Sequence, residues 1–289
     1  MEDIRAAGAD WSAGRRRGSP AELAEWLAFA LGLCDVTDPI ALGAFRSELA
    51  VDRKADGSFV TAADREVEAF IRGRITERYP DHGLVGEEYG EAEAGAGGER
   101  WYIDPIDGTH NFMRGVPLFA TLLAVERDGE IQAGVMSAPA LGQRWYATRG
   151  GGAWVVGGPA NPDGPRRLRV SAVDELARAQ VLFRSIRDME ASRVAAGFQR
   201  LLRATWRERG FGDFWGYTLV SDGVAEAVME QDLHPWDLAA PWVIVEEAGG
   251  RITDFDGRRS LERGEGFATN GLLHDEVLDI LTGRAGAGT

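Results

Sequence analysis

Apolar residues in the first part of the chain recur at the spacing of a helix: Leu23, Trp26, Leu27, Ala30 and Cys34 fall on one face. Ahead of them, Ser19-Pro20-Ala21-Glu22 sets an N-cap serine, a first-turn proline and a glutamate at the third position, so a helix is predicted to start there. Val67, Phe70, Ile71 and Ile75 mark a second helix over about 62–79, stopped by Pro80. Over 121–156 the period changes to short β-rich runs broken by Asp128-Gly129, Ala138-Pro139 and Gly150-Gly151-Gly152, the pattern of an antiparallel meander. A loop over 157–166 follows. Strand-like and helical runs then alternate: strands at 179–183, 225–229 and 251–253, helices at about 191–207, 215–222, 236–248 and 273–281. The whole predicts a mixed α and β chain with a flexible leader (1–18), an N-terminal half with an antiparallel sheet (19–160), a C-terminal α/β half (161–283) and a flexible tail (284–289). Internal repeats and low-complexity segments are absent from the sequence.

Composition narrows the function classes. With 289 residues, 44% of them hydrophobic, the chain can bury a large core. A formal charge of −14 leaves no basic face for a phosphate backbone, so nucleic acid is not an expected partner. The single cysteine, Cys34, excludes a disulfide framework and a thiolate metal cluster, and its helical position predicts a core residue. Neither a secretory signal nor a membrane-spanning run of roughly 20 apolar residues is read in the chain, so a cytoplasmic protein with no membrane partner is expected.

Candidate chemistry concentrates in Trp101 to Phe112, WYIDPIDGTHNF. Asp104 follows an apolar strand-like run, Pro105 stiffens the corner, and Gly108 permits a tight backbone approach before a helix near Asn111. Two carboxylates aimed at one place need protons or a cation, and hard divalent ions such as Mg²⁺ favour such oxygen ligands. By itself D-x-x-D-G is equally an Asx-turn and a helix cap. Further acids stand at comparable breaks in the pattern: Gly86-Glu87-Glu88, His234-Pro235-Trp236-Asp237, and Thr61-Ala62-Ala63-Asp64, the last also readable as a capping box.

The segments DGSFVTAAD, GEE, WYIDPIDGTHNF and HPWDLAAPWVIVEEAGG, in that order and spread over both halves, resemble the inositol monophosphatase family of metal-dependent, lithium-sensitive phosphatases. SAPALGQRWYATRGGGAW, GFGDFWGYTLVSDG and FATNGLLHDEVL are most similar to its bacterial histidinol-phosphatase branch, which acts in histidine biosynthesis. The resemblance implies an α+β fold, the layered α/β/α/β/α sandwich of the inositol monophosphatase and fructose-1,6-bisphosphatase type. It implies two or three Mg²⁺ per site, held by Glu87, Asp104, Asp107 and Asp237 with the carbonyl of Ile106. It pairs Thr109 with Asp64 to orient an attacking water, with Glu87 also in the catalytic set, and it points to a homodimer. The backbone N–H groups of Gly108, Thr109 and His110 are expected to cradle phosphate at the start of the following helix. For the leaving group the resemblance points to Glu230, and Asp213 lies in a loop beside the expected pocket. Two acids there suit a substrate carrying an ammonium. The structural alternatives are a helix cap for Asp213, a solvated acid for Glu230, surface ion pairs for Arg184 and Arg187, and a structural role for His234. The expected substrate is a small phosphate monoester, histidinol phosphate first and inositol 1-phosphate or another small polyol phosphate second. A catalytically weak metal-binding regulator is disfavoured because every acid of the motifs is intact.

Overall fold

The computed structural model describes residues 16–47, 51–53, 59–95, 98–159, 161 and 163–284. Most of the expected leader and tail lies outside the described residues. Arg16 and Gly18 are tied down, Arg16 pairing with Asp128 at 2.9 Å and the Gly18 N–H donating to Gln132 at 3.0 Å.

Both predicted capping boxes form. Ser19 and Glu22 exchange hydrogen bonds at the start of α1 (Pro20–Ala44). After β1 (Val51–Arg53) and β2 (Phe59–Thr61), Thr61 and Asp64 do the same for α2 (Ala62–Arg78). Next come β3 (Gly83–Gly86), β4 (Gly90–Ala92), β5 (Glu99–Asp107) and the short α3 (Thr109–Met113). The predicted meander is β6 (Ala120–Arg127), β7 (Glu130–Ala138), β8 (Gln143–Thr148) and β9 (Gly152–Gly157), each joined antiparallel to the next. With β10 (Arg166–Arg167) these strands form an eight-stranded sheet in the order β10-β9-β8-β7-β6-β5-β3-β4, in which only β3 and β5 run parallel.

The remainder begins with β11 (Gln180–Phe183), α4 (Ile186–Ala191), α5 (Ala195–Ala204) and β12 (Arg207–Arg209). It continues through α6 (Asp213–Ser221), β13 (Ala227–Gln231), α7 (Pro235–Glu247), β14 (Arg251–Thr253), β15 (Glu265–Thr269) and α8 (His274–Thr282). Its sheet has the order β12-β11-β13-β15-β14. The single helix expected over 191–207 is corrected to α4, α5 and β12. The chain breaks at Ser192, where Arg193 turns out to pair with Glu265 at 2.6 Å, and residues 207–209 join β11 as an edge strand.

Three large apolar cores bind five layers together, the central one lying on both sides of α6 and α7. α1 and α2 pack through Trp26, Leu33, Val67 and Ile71 on one face of the large sheet, against Trp101, Ile103 and Val135. α6 and α7 fill the space between the two sheets, with Phe214, Tyr217 and Leu238 to Val245 meeting Tyr102, Met136, Val228 and Ile252. α5 and α8 cover the far face of the small sheet through Phe198, Leu201 and Val277. The result is the α/β/α/β/α sandwich expected.

One composition-based expectation needs correcting. α1 has a mean hydropathy of 1.5 over its best 18-residue window and is long and apolar enough to cross a membrane. Its acids lie towards its ends and leave the middle uncharged. In this structure it packs instead on α2, β6, β7 and β8.

Candidate active site

Strand alternation sets the direction of the first acid. Trp101 and Ile103 face α1 and α2, while Tyr102 faces the central layer, so Asp104 also points towards α7. Between Asp104 and Asp107 the pairing with β6 slips, a bulge containing Pro105 whose carbonyl accepts from the Thr121 hydroxyl at 2.8 Å. The bulge lets Asp107 turn to the same place. Gly108 then adopts φ 79°, and a Cβ there would meet the Leu118 carbonyl at 2.9 Å, so the turn into α3 requires glycine. From the opposite layer Asp237 enters in the first turn of α7, its Oδ2 accepting the His234 N–H at 2.7 Å. One carboxylate oxygen from each of Asp104, Asp107 and Asp237 lies within 4.8 Å of the others. Glu87, just after β3, is outside that trio, but its N–H donates to the Ile103 carbonyl at 3.3 Å and its charge is felt by Asp104 and Asp237.

Crowded acids with little water hold protons tightly. Burial, then Glu87, Asp107 and Asp237, push Asp104 well above the usual carboxylate range. Burial, then Asp213 and Asp237, do the same to Asp107. Asp237 is pushed up to about 6 by burial, opposed by the His234 N–H. Asp104 is 1% exposed and its Oδ1 has no hydrogen-bond partner. A buried, unpartnered hard oxygen beside two further carboxylates fits a hard divalent cation such as Mg²⁺.

Asp64 and Thr109 are not joined by a hydrogen bond. Asp64 Oδ2 takes the Thr61 N–H at 2.8 Å and the Thr61 hydroxyl at 2.5 Å, while Thr109 Oγ1 donates to the Ile106 carbonyl at 3.0 Å. Asp64 Oδ1 is left buried without a partner, and burial pushes this carboxyl up to about 6 against the Thr61 bonds. The capping box thus uses one oxygen and leaves the other. Gly108, Thr109 and His110 open α3, where N–H groups have no intrahelical acceptor.

A second acidic pair adjoins the corner. Glu230 on β13 is 1% exposed, which removes the solvated-acid alternative; its Oε1 accepts the Asp213 N–H at 2.8 Å and its Oε2 has no partner. Gly212 occupies the N-cap of α6, so Asp213 is not the cap; it is the first helical residue, at φ 55°. A Cβ on Gly212 would lie 2.4 Å from both Arg184 and Glu230 Oε1. Burial, then Asp213, push Glu230 up to about 8, with Arg184 opposing. The next residue, Phe214, donates its N–H to Asp107 Oδ2 at 2.6 Å, linking the two acidic groups. Arg184 reaches Asp188 at 3.3 Å and donates to the Gln231 carbonyl at 2.9 Å, but it is largely buried and its charge also faces Glu230 and Asp213, so it is not the surface ion pair of the structural alternative; His234 stacks on Trp236 at 4.6 Å.

Asn111, expected only as the start of the following helix, lies inside α3; its Nδ2 donates to the Leu118 carbonyl at 2.9 Å and to Asp213 at 3.3 Å, so it ties α3 to α6. Tyr217 and Glu68 were not singled out at all. Tyr217 belongs to the apolar period of α6, and Glu68 reads as half of an ordinary Glu-Arg helix pair.

Comparison with known proteins places the chain in a family. The model of the inositol monophosphatase family matches residues 22–283. A histidinol-phosphatase of Mycobacterium tuberculosis is 44% identical over 258 residues, covering 88% of this chain and 97% of that protein. A histidinol-phosphatase of Streptomyces coelicolor is 41% identical over 257 residues, covering 87% and 95%. The solved structure of a Thermotoga maritima IMPase superposes with a TM-score of 0.76 at 31% identity, covering 90% of this chain and 98% of that one. Matched from α1 to α8 in sequence and layer for layer in fold, the chain belongs to the inositol monophosphatase family of phosphoric monoester hydrolases.

Proposed function

We propose that this chain hydrolyses histidinol phosphate to histidinol and phosphate, with Mg²⁺ held by Asp104, Asp107, Asp237 and Glu87 and by the carbonyl of Ile106. The observation that carries the chemistry is the convergence of Asp104, Asp107 and Asp237 from two layers, with an unpartnered oxygen at its centre. Bound there, a divalent cation supplies the positive charge that draws in phosphate oxygens and makes a neighbouring water more acidic. The N–H groups of Gly108, Thr109 and His110 orient the phosphate. Thr109 turns its hydroxyl from the Ile106 carbonyl to the waiting Oδ1 of Asp64, and the pair holds the attacking water and takes its proton. An Asp64 carboxyl near 6 is a suitable base at neutral pH.

The leaving group is assigned from Asp213 and Glu230 together with the names of the relatives. Two acids that repel each other are relieved by a substrate ammonium, whereas a polyol hydroxyl leaves the repulsion in place. Likeness to the Thermotoga IMPase supports inositol 1-phosphate or another small polyol phosphate as the second reading. Phosphate release from both esters distinguishes them: kcat/KM is expected to favour histidinol phosphate by about 100-fold, or about 2.7 kcal/mol. Asp213→Asn with Glu230→Gln is expected to shrink that ratio. Equal or greater efficiency on inositol 1-phosphate would transfer the function to the second reading. A cytoplasmic homodimer fits the family resemblance and the packing of α1 on the core, and sedimentation checks its oligomeric state.

A further inference from the structure

β13 and β15 run antiparallel, and Glu230 stands directly opposite Gly266. Opposed residues share one face of a sheet with Cβ atoms about 4.5–5.5 Å apart, so a side chain at 266 would lie beside Glu230. Glycine leaves that place to α6. A Cβ on Gly266 would stand 2.3 Å from the Tyr217 hydroxyl, with Leu233 at 2.7 Å and Leu238 at 2.8 Å around it. The phenol therefore reaches through the central core and ends next to the acid. Tyr217 and Glu230 are each 1% exposed, and the hydroxyl and Glu230 Oε2 are both buried without a hydrogen-bond partner. Burial, then the charge of Glu230, push the phenol well above its usual range, so it keeps its proton and remains a donor. A buried polar atom left unpaired costs about 1–3 kcal/mol. Here an unpaired donor and an unpaired acceptor are neighbours.

Glu230 can take this bond without giving up its others. An ionised carboxylate has about four acceptor positions. The Asp213 N–H fills one on Oε1 at 2.8 Å, a tyrosine hydroxyl on Oε2 fills a second, and the rest are left for an incoming cation. We propose that Tyr217 is a positioning residue for leaving-group recognition: its hydroxyl donates to Glu230 Oε2 and holds the carboxylate towards a substrate ammonium. The proposal rests on Glu230 facing the leaving group. It deepens that reading by locating the control of this acid on α6, out of reach of the substrate. Asp213 and Tyr217 are one turn apart on that helix, so α6 serves Glu230 twice, through the backbone of its first residue and through a side chain four residues on. The Tyr217 hydroxyl makes no bond to Asp104, Asp107 or Asp237, so it should bear on which alcohol is accepted and not on the speed of the chemical step.

Steady-state kinetics with two esters on the full chain, saturated with Mg²⁺, test it. Tyr217→Phe removes only the hydroxyl and is expected to raise KM for histidinol phosphate about 10-fold, with kcat within about twofold, and to weaken histidinol binding about as much in calorimetry. Phenyl phosphate, which carries no ammonium, should keep its KM. Glu230→Gln should raise KM for histidinol phosphate at least as far, and adding Tyr217→Phe to it should change KM no further. An unchanged KM in Tyr217→Phe, an equal rise on both esters, or an undiminished effect in the Glu230→Gln background would overturn the positioning role. A parental KM in Glu230→Gln alone would instead overturn the leaving-group reading beneath it. If Tyr217→Phe does not fold, Gly266→Ala keeps both groups and crowds the hydroxyl out of its place. A rise in KM confined to histidinol phosphate is then expected, and a lowered Tm with both KM values unchanged would reduce the phenol to a core contact.

Discussion

The two ends of α7 gather acids in opposite ways. At its C-terminal end Glu246 is met by Arg149 at 2.7 Å and also by Arg259, which reaches Glu130 at 3.2 Å, while Glu247 takes the N–H groups of Gly150 and Gly152 at 2.7 and 2.9 Å. Helix carbonyls there already disfavour negative charge, so the arginines compensate both. At the N-terminal end the dipole favours an acid, yet Asp237 meets Asp104 and Asp107, and among the described residues no arginine or lysine is within ion-pair distance of the three. Among the described residues, the protein neutralises buried acids with its own cations at one end of α7 and not at the other. The lesson is that an acidic cluster is informative through what does not accompany it, and the unaccompanied one is where an external cation belongs.

Breaking the N-terminal cluster should have the largest effect. Asp104→Asn removes one charge at nearly constant size and is expected to lower kcat by about 10³-fold or more and to weaken Mg²⁺ binding in calorimetry. Near-parental turnover would remove Asp104 from the centre of the site. At the other end, Arg149→Met leaves Glu246 with Arg259 and the Trp242 N–H and should cost about 1–3 kcal/mol in urea denaturation while leaving the Mg²⁺ Kd as it was. A matching loss of Mg²⁺ affinity would erase the distinction between the ends.

Proton linkage sharpens the comparison at intermediate size. Asp104, Asp107, Asp237 and Asp64 are all raised in the folded state, so without a cation the folded protein binds more protons than the unfolded chain. The stabilisation is complete below the unfolded carboxylate pKa of about 4 and is lost as pH rises through about 6 and on towards the Glu230 value of about 8. Thermal melts in chelator are expected to fall over that window, and added Mg²⁺ should raise Tm more at pH 8 than at pH 5. Parallel melts with and without Mg²⁺ across the range would contradict the linkage. The smallest effect concerns Thr61→Ala, expected to cost about 1 kcal/mol through the α2 cap, whereas Thr109→Ala should lower kcat more than it changes KM or Tm. Stability loss without loss of turnover at Thr109 would leave it a capping residue.

Local chemistry made much of this legible from sequence. Ser19-Glu22 and Thr61-Asp64 announce their helices because cap and partner are three residues apart, and the meander shows because its turns need glycine, aspartate or proline. Asp104, Asp107 and Asp237 stood out because they sit at element ends. What stayed hidden depends on distant partners. β12 is a strand only because β11 lies beside it, and Asp213 takes φ 55° only because Glu230 receives its N–H from another strand. Glu68 looks like a surface pair until Gly86 is found beneath it. Thr109 and Asp64 stay apart here because each already has a nearer partner, the Ile106 carbonyl and Thr61.

α7 has no side chain free to drift between Leu238 and Val245, all of which are buried between the sheets. Asp213 and Glu230, proposed above to face the leaving group, instead stand at the start of α6 and on β13, with the exposed Phe211 two residues ahead of Asp213 in the chain. On the proposed function, mutation would be unequally tolerated across one pocket: the half holding Asp237 is locked by the core, and the half holding Asp213 follows a loop with an exposed Phe211. On that reading, changes around residues 211–213 would alter the substrate and leave the hydrolytic chemistry in place.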